Sequence, residues 1–109
     1  MGDISFQEFQ NLDIRIGKVA AVEDIPQSKH LYKLEIDFGT EQRIAVAGLK
    51  KHYSPQALTG KKFEFILNLE RKKMMGIESE CMVLAADDGA GNIVLLQPQK
   101  DIIEGSRIR

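Results

Sequence analysis

The chain has 109 residues, 43% hydrophobic and 28% charged, with a formal charge of −1 and a single cysteine. That is the size and make-up of one ordinary globular domain, expected over residues 1–109, and no apolar run approaches the roughly 20 residues that span a bilayer. One thiol, Cys81, excludes an internal disulfide framework, and with no signal-type hydrophobic stretch the expected location is the cytoplasm.

A net charge near zero argues against a polyanion binder until its distribution is read. Between Arg43 and Lys73 eight Lys or Arg stand against two acids, and elsewhere seven stand against fourteen. A basic centre in an acidic frame can present a positive face while the whole protein stays near neutral.

In chain order, Ser5-Phe6-Gln7-Glu8 predicts a short helix with a capping box, and Ile4 with Phe9 predicts a hydrophobic staple. Strand character begins by Leu12. Leu12, Ile14 and Ile16 alternate with polar residues, and Val19 to Val22 resume after Gly17, where the glycine predicts a bulge or sharp coil. Such a coil lets one strand serve two neighbours. Tyr32, Leu34, Ile36 and Phe38 alternate with Lys33, Glu35 and Asp37, the cleanest period-2 segment. Gly39 to Glu41 then turns the chain into a third strand, Arg43 to Ala47.

Helical turns follow from Leu49 to Tyr53 and from Pro55 to Leu58, ended by Gly60. Lys62 to Leu69 predicts a fourth strand buried on both sides. Arg71-Lys72-Lys73 reads as a basic loop entering Met74-Met75-Gly76, and Met82 to Ala86 with Ile93 to Leu96 form a last hairpin. The expected fold class is all-β: an OB-fold, a five-stranded Greek-key barrel with a short N-terminal helix, a helical connection between strands 3 and 4, and a C-terminal extension. The segments before Leu12 and after Ala86 exceed what such a barrel needs.

The residues give little to catalysis. His30, His52 and Cys81 are too few and too scattered for a zinc site, and Gly60-Lys61-Lys62 lacks the rest of a phosphate loop. Cys81 reads as a small packed residue and His30 as a polar loop residue. No metal, cofactor or enzymatic activity is expected. Binding fares better. An OB barrel holds oligonucleotides on its second and third strands and nearby loops, which points to Lys33, Arg43, Arg71, Lys72 and Lys73. Three adjacent cations beside Met74, Met75 and Met82 suit a surface that meets phosphates and bases.

Several segments carry a resemblance: Leu12 to Val19, Lys29 to Leu34, Arg43 to Leu49, Gly60 to Lys62, Asn68-Leu69, Lys73-Met74 through Ala85, and Gly105 to Ile108. Together they resemble the tRNA-binding domain family found on methionyl-tRNA synthetases, on some tyrosyl- and phenylalanyl-tRNA synthetases, in the endothelial-monocyte-activating polypeptide and as free-standing homodimers. The resemblance implies recognition of tRNA shape, with Asn68, Lys73, Gly76, Ser79 and Met82 in the contact region. It also implies a methionyl-tRNA synthetase as a partner. The chain departs from the family where it has Glu70-Arg71 for Lys-Pro, Met75 for Arg, Cys81 for Gly and Ala47 for Ser. Losing the Arg and gaining Glu70 weakens the phosphate-binding face, and Arg71 with Lys72 partly compensates.

One branch competes. Ile36 to Glu41, Ser79 to Cys81 and Val94 to Pro98 resemble the CsaA-like export chaperones, which implies unfolded or pre-protein peptide in the same groove. The three methionines suit that ligand, because thioethers adapt to varied apolar partners. Either way a homodimer is expected, its interface formed by Ile4, Phe6 and Phe9 at one end of the chain and Ile102, Ile103 and Ile108 at the other. The leading expectation is a non-catalytic tRNA-binding protein.

Overall fold

The computed structural model describes residues 2–109. Helix α1 (Phe6–Gln10) leads into strands β1 (Ile14–Asp24), β2 (Tyr32–Asp37) and β3 (Gln42–Ala47). Helix α2 (Pro55–Leu58) precedes β4 (Lys62–Ile66), and five short strands follow: β5 (Lys72–Met74), β6 (Ile77–Ser79), β7 (Met82–Val83), β8 (Ala85–Asp87) and β9 (Ile93–Leu95). One sheet runs β3-β2-β1-β4-β7, every pair antiparallel, and curls into a nearly closed barrel of the OB type. The pairs β5-β6 and β8-β9 form separate two-stranded ribbons.

β1 serves two neighbours. Its first half, Ile14 to Lys18, pairs with β4, and its second half, Lys18 to Asp24, pairs with β2. The register slips between Val19 and Ala21, so the bulge sits at Ala20 and not at Gly17. Gly17 has a different task. A Cβ there would lie 2.5 Å from Ile36 Cγ2, 2.7 Å from Phe38 Cε1 and 2.9 Å from Phe65 Cδ1. Those three side chains are at most 1% exposed, and Phe38 meets Phe65 edge-on at 5.6 Å. The missing side chain lets the core close against the strand backbone.

The alternation from Tyr32 to Phe38 turns its apolar members inward as the sequence predicts. β4 is shorter than expected. Phe63, Phe65 and Leu67 face the core and Glu64 does not, so the strand is not buried along both faces, although Ile66 is covered too. Past Ile66 the chain leaves the sheet, and the Leu67 amide donates to Asp13 O at 2.8 Å. α2 starts at an N-cap, Ser54, with Pro55 in its first turn, and delivers fully buried Leu58 into the core.

Both ends of the chain are tied to β1. At the start, the Ser5–Glu8 capping box forms as read. The staple is replaced by another contact: Ile4 is exposed, and Phe6 stacks on Phe9 at 6.4 Å. At the other end, Ser106 O accepts from Ile16, and Gly105 and Ile108 donate to Ile16 and Ile14 at 2.8 Å. Residues 105–108 thus fill the edge of β1 that β2 leaves open, and are part of the barrel wall, not surplus to it. Lys62 clips the approach to that segment, bonding Asp101 at 2.8 Å, Glu104 at 2.9 Å and Ile102 O. The ammonium holds both carboxyls below their usual range, chiefly through these hydrogen bonds.

The close approach at Gly17 makes a direct forecast. Gly17→Ala should cost about 2 kcal/mol through overpacking, read as a lower urea midpoint at unchanged m. A loss below about 0.5 kcal/mol, the range of an ordinary surface change, would contradict this packing.

Candidate nucleic-acid interface

The segment from Asn68 to Met82 leaves the barrel and returns to it. Residues 72–79 are a hairpin, not the loop the sequence suggests: Lys72 pairs with Ser79, Lys73 with Glu78 and Met74 with Ile77. Met75 and Gly76 make its two-residue turn, with φ of 52° and 79°. Two positive φ values match the twist of a hairpin, and the usual sequence for such a turn is Asn-Gly. Met in the left-handed region stores local strain at the hairpin tip.

Period 2 divides the basic run. Lys72 and Met74 share one face of the ribbon, while Lys73 lies on the other, opposite Glu78. The first face borders a groove of about 700 Å³ between the hairpin, the end of β3 and β7. Arg71, Lys72, Met74, Ser79 and Met82 of the expected site all line it. The sequence reading missed Leu69, the Val46-to-Leu49 corner, Val83, Ala85 and Ile93, and the acids Glu70 and Glu80 line the groove too, with Cys81. Leu69 is 45% exposed and Met82 is 48% exposed, so the floor presents apolar surface to solvent. Leu69 was hidden inside an expected core strand. Only the early end of β4 exposes it.

The other expected residues lie elsewhere. Lys33 pairs with Glu23 at 3.6 Å and, with Met75, lines a second hollow beside Ile25 and Pro26. Gly76 is at the hairpin tip. Asn68 is occupied by the backbone: its Oδ1 accepts from Asp13 N at 2.8 Å and its Nδ2 donates to Asn11 O at 2.6 Å. Arg43 lies beneath the hairpin, donating to Glu41, to Leu67 O at 2.8 Å and to Glu80 O at 3.1 Å.

The electrostatics differ from the expectation in an informative way. The acidic frame reaches into the basic centre: Glu41 pairs with Arg43, Asp24 with Lys50, and Asp101 with Glu104 hold Lys62. Those cations are engaged in holding loops together. Among the described residues Arg71, Lys72 and Lys73 make no ion pair, nor do Lys51 and Lys61 of the basic centre, and of these it is Arg71 and Lys72 that border the groove. Cys81 is buried beneath the groove, and burial pushes its thiol up to about 12. It stays protonated at neutral pH and is no nucleophile. The structure can therefore grip an anion at the rim and an apolar or stacking group on the floor.

The family described as "Putative tRNA binding domain" matches residues 14–107. The chain belongs to that tRNA-binding domain family. It is 49% identical over 106 residues to methionine–tRNA ligase of Thermococcus kodakarensis, and 41% identical over 107 residues to that of Porphyromonas gingivalis strain W83. These alignments cover 97% and 98% of the chain, but the chain spans only 14% and 16% of the ligases. Among solved structures it is similar to a MetRS-related protein from Pyrococcus horikoshii, with a TM-score of 0.94, 35% identity and full coverage of both chains. It is also similar to chaperone CsaA of Bacillus anthracis strain Ames, with a TM-score of 0.88, 35% identity, and 99% and 100% coverage.

Proposed function

We propose that this domain is a non-catalytic tRNA-binding module that takes its ligand in the hairpin groove. One observation carries the reading: Arg71 and Lys72, which make no ion pair among the described residues, rim a groove floored by exposed Leu69 and Met82. Phosphates meet the rim, and an unstacked base or sugar face meets the floor. Family membership and the likeness to methionine–tRNA ligases support tRNA as the ligand and a methionyl-tRNA synthetase activity as its working context. The function needs no metal or cofactor, and a cytoplasmic setting follows from that context.

A second reading has its own support. The floor of Leu69, Met74 and Met82 also fits apolar peptide, and the likeness to CsaA chaperones supports unfolded or pre-protein chains as the alternative ligand. The two readings separate by salt. Under the tRNA reading, replacing Arg71 and Lys72 by alanine lowers bulk-tRNA affinity and reduces the log–log salt slope by roughly 0.7–0.9 per lost contact. Lys73→Ala, on the outer face, has the smaller effect. Undetectable tRNA binding at low salt, together with peptide binding that tracks Met74 and Met82, would replace the tRNA reading with the chaperone reading.

We also propose that the domain works as a homodimer. Ile4, Phe6, Ile102 and Ile103 are exposed, and Phe9 and Ile108 line a hollow with Phe6 and Leu12, more apolar surface than a monomer of this size covers. Light scattering should give twice the monomer mass. A monodisperse monomer would contradict the assembly.

A further inference from the structure

We infer that Ser79 and Glu80 are positioning residues: their side-chain oxygens fasten the β5-β6 hairpin to the open edge of β3 and so set the width of the groove, without touching the ligand. The inference rests on the groove being the binding site. β3 ends the five-stranded sheet, and the hairpin is a separate ribbon with no ladder to it. The amides of Ile44 and Val46 face away from β2, where a further strand would supply carbonyls. Two side chains supply the oxygens instead: Glu80 Oε1 accepts from Ile44 N at 2.8 Å, and Ser79 Oγ accepts from Val46 N at 3.0 Å. One backbone bond, Glu80 N to Ile44 O at 2.8 Å, lies beside them.

The Ser79 hydroxyl has one proton, and it goes inward to Cys81 O at 3.1 Å. That leaves it no donor for a phosphate. Arg43 completes the fastening from below. Its Nη1 donates to the carbonyls of both Leu67 and Glu80, the two ends of the excursion that carries the hairpin. The cations at the groove rim are thus held in place by side chains whose Oγ, Oε1 and Nη1 atoms are engaged by the backbone, although Ser79 and Glu80 border the groove themselves. Removing an acceptor from either amide strands a donor in the barrel seam, an imbalance relieved when the hairpin lifts and water enters.

Hydrogen exchange on the ligand-free full chain tests the fastening apart from any ligand. Ser79→Ala and Glu80→Ala should speed exchange of the amides from Lys72 to Ser79 by roughly fivefold or more, leaving β1 and β2 amides unchanged. Ser79→Thr and Glu80→Gln keep an oxygen in place and should restore protection. A parallel titration of Ser79→Ala with bulk tRNA should show weaker binding at an unchanged salt slope, rescued by Ser79→Thr. Unchanged exchange with weakened binding would make Ser79 a contact residue and overturn the inference, as would acceleration spread over the whole barrel. Local acceleration with no loss of affinity would overturn the link to binding. If the parent chain binds no tRNA while exchange behaves as expected, the fastening stands and the tRNA reading fails.

Discussion

Everything else in this structure depends on one strand doing the work of two. β1 gives its first half to β4 and its second half to β2, and it can do so because Gly17 and the bulge at Ala20 let it coil sharply around the core. The cost is steric: Ile36, Phe38 and Phe65 occupy the space a Cβ would need. With both edges of β1 used, β2 must carry β3 outward to the end of the sheet. The barrel is then left with a seam between β3 and the chain that follows β4.

That seam is where the candidate site forms. A fully laddered barrel would close it with backbone bonds and leave no groove. Here Ser79, Glu80 and Arg43 bridge it with side chains, which keeps the hairpin close to β3 while leaving space between them. Charge follows the same division. Cations near the barrel wall (Arg43, Lys50, Lys62) are neutralised by the acidic frame, while Arg71, Lys72 and Lys73 make no ion pair among the described residues. A chain with near-zero net charge can thus still offer a local anion-binding edge.

Much of this was legible in the sequence, and most of the failures share one cause. The Tyr32-to-Phe38 alternation, the Ser5–Glu8 capping box, the Pro55 helix and buried Cys81 all follow from short-range pattern. Most of the readings that failed depend on distant partners. Gly17 looks like a bulge until Phe38 and Phe65 are brought against it. Arg43 looks like a free cation until the carbonyls of Leu67 and Glu80 arrive beneath the hairpin. The hairpin itself was hidden because Met75 adopts a backbone conformation that sequence rules assign to Asn or Gly. The basic centre was overcounted because ion pairing across the fold is invisible to a count along the chain.

The placement of the ligand can be read most directly from the methionine methyl groups. Met74 and Met82 line the groove, whereas Met75, their neighbour in sequence, lies in the second hollow with Lys33. In a chain carrying 13C-methyl methionine, titration with bulk tRNA at low salt should shift or broaden Met74 and Met82 and leave Met75 nearly unmoved. Perturbation of Met75 alone, or none at the three sites despite measurable binding, would place the ligand outside the hairpin groove.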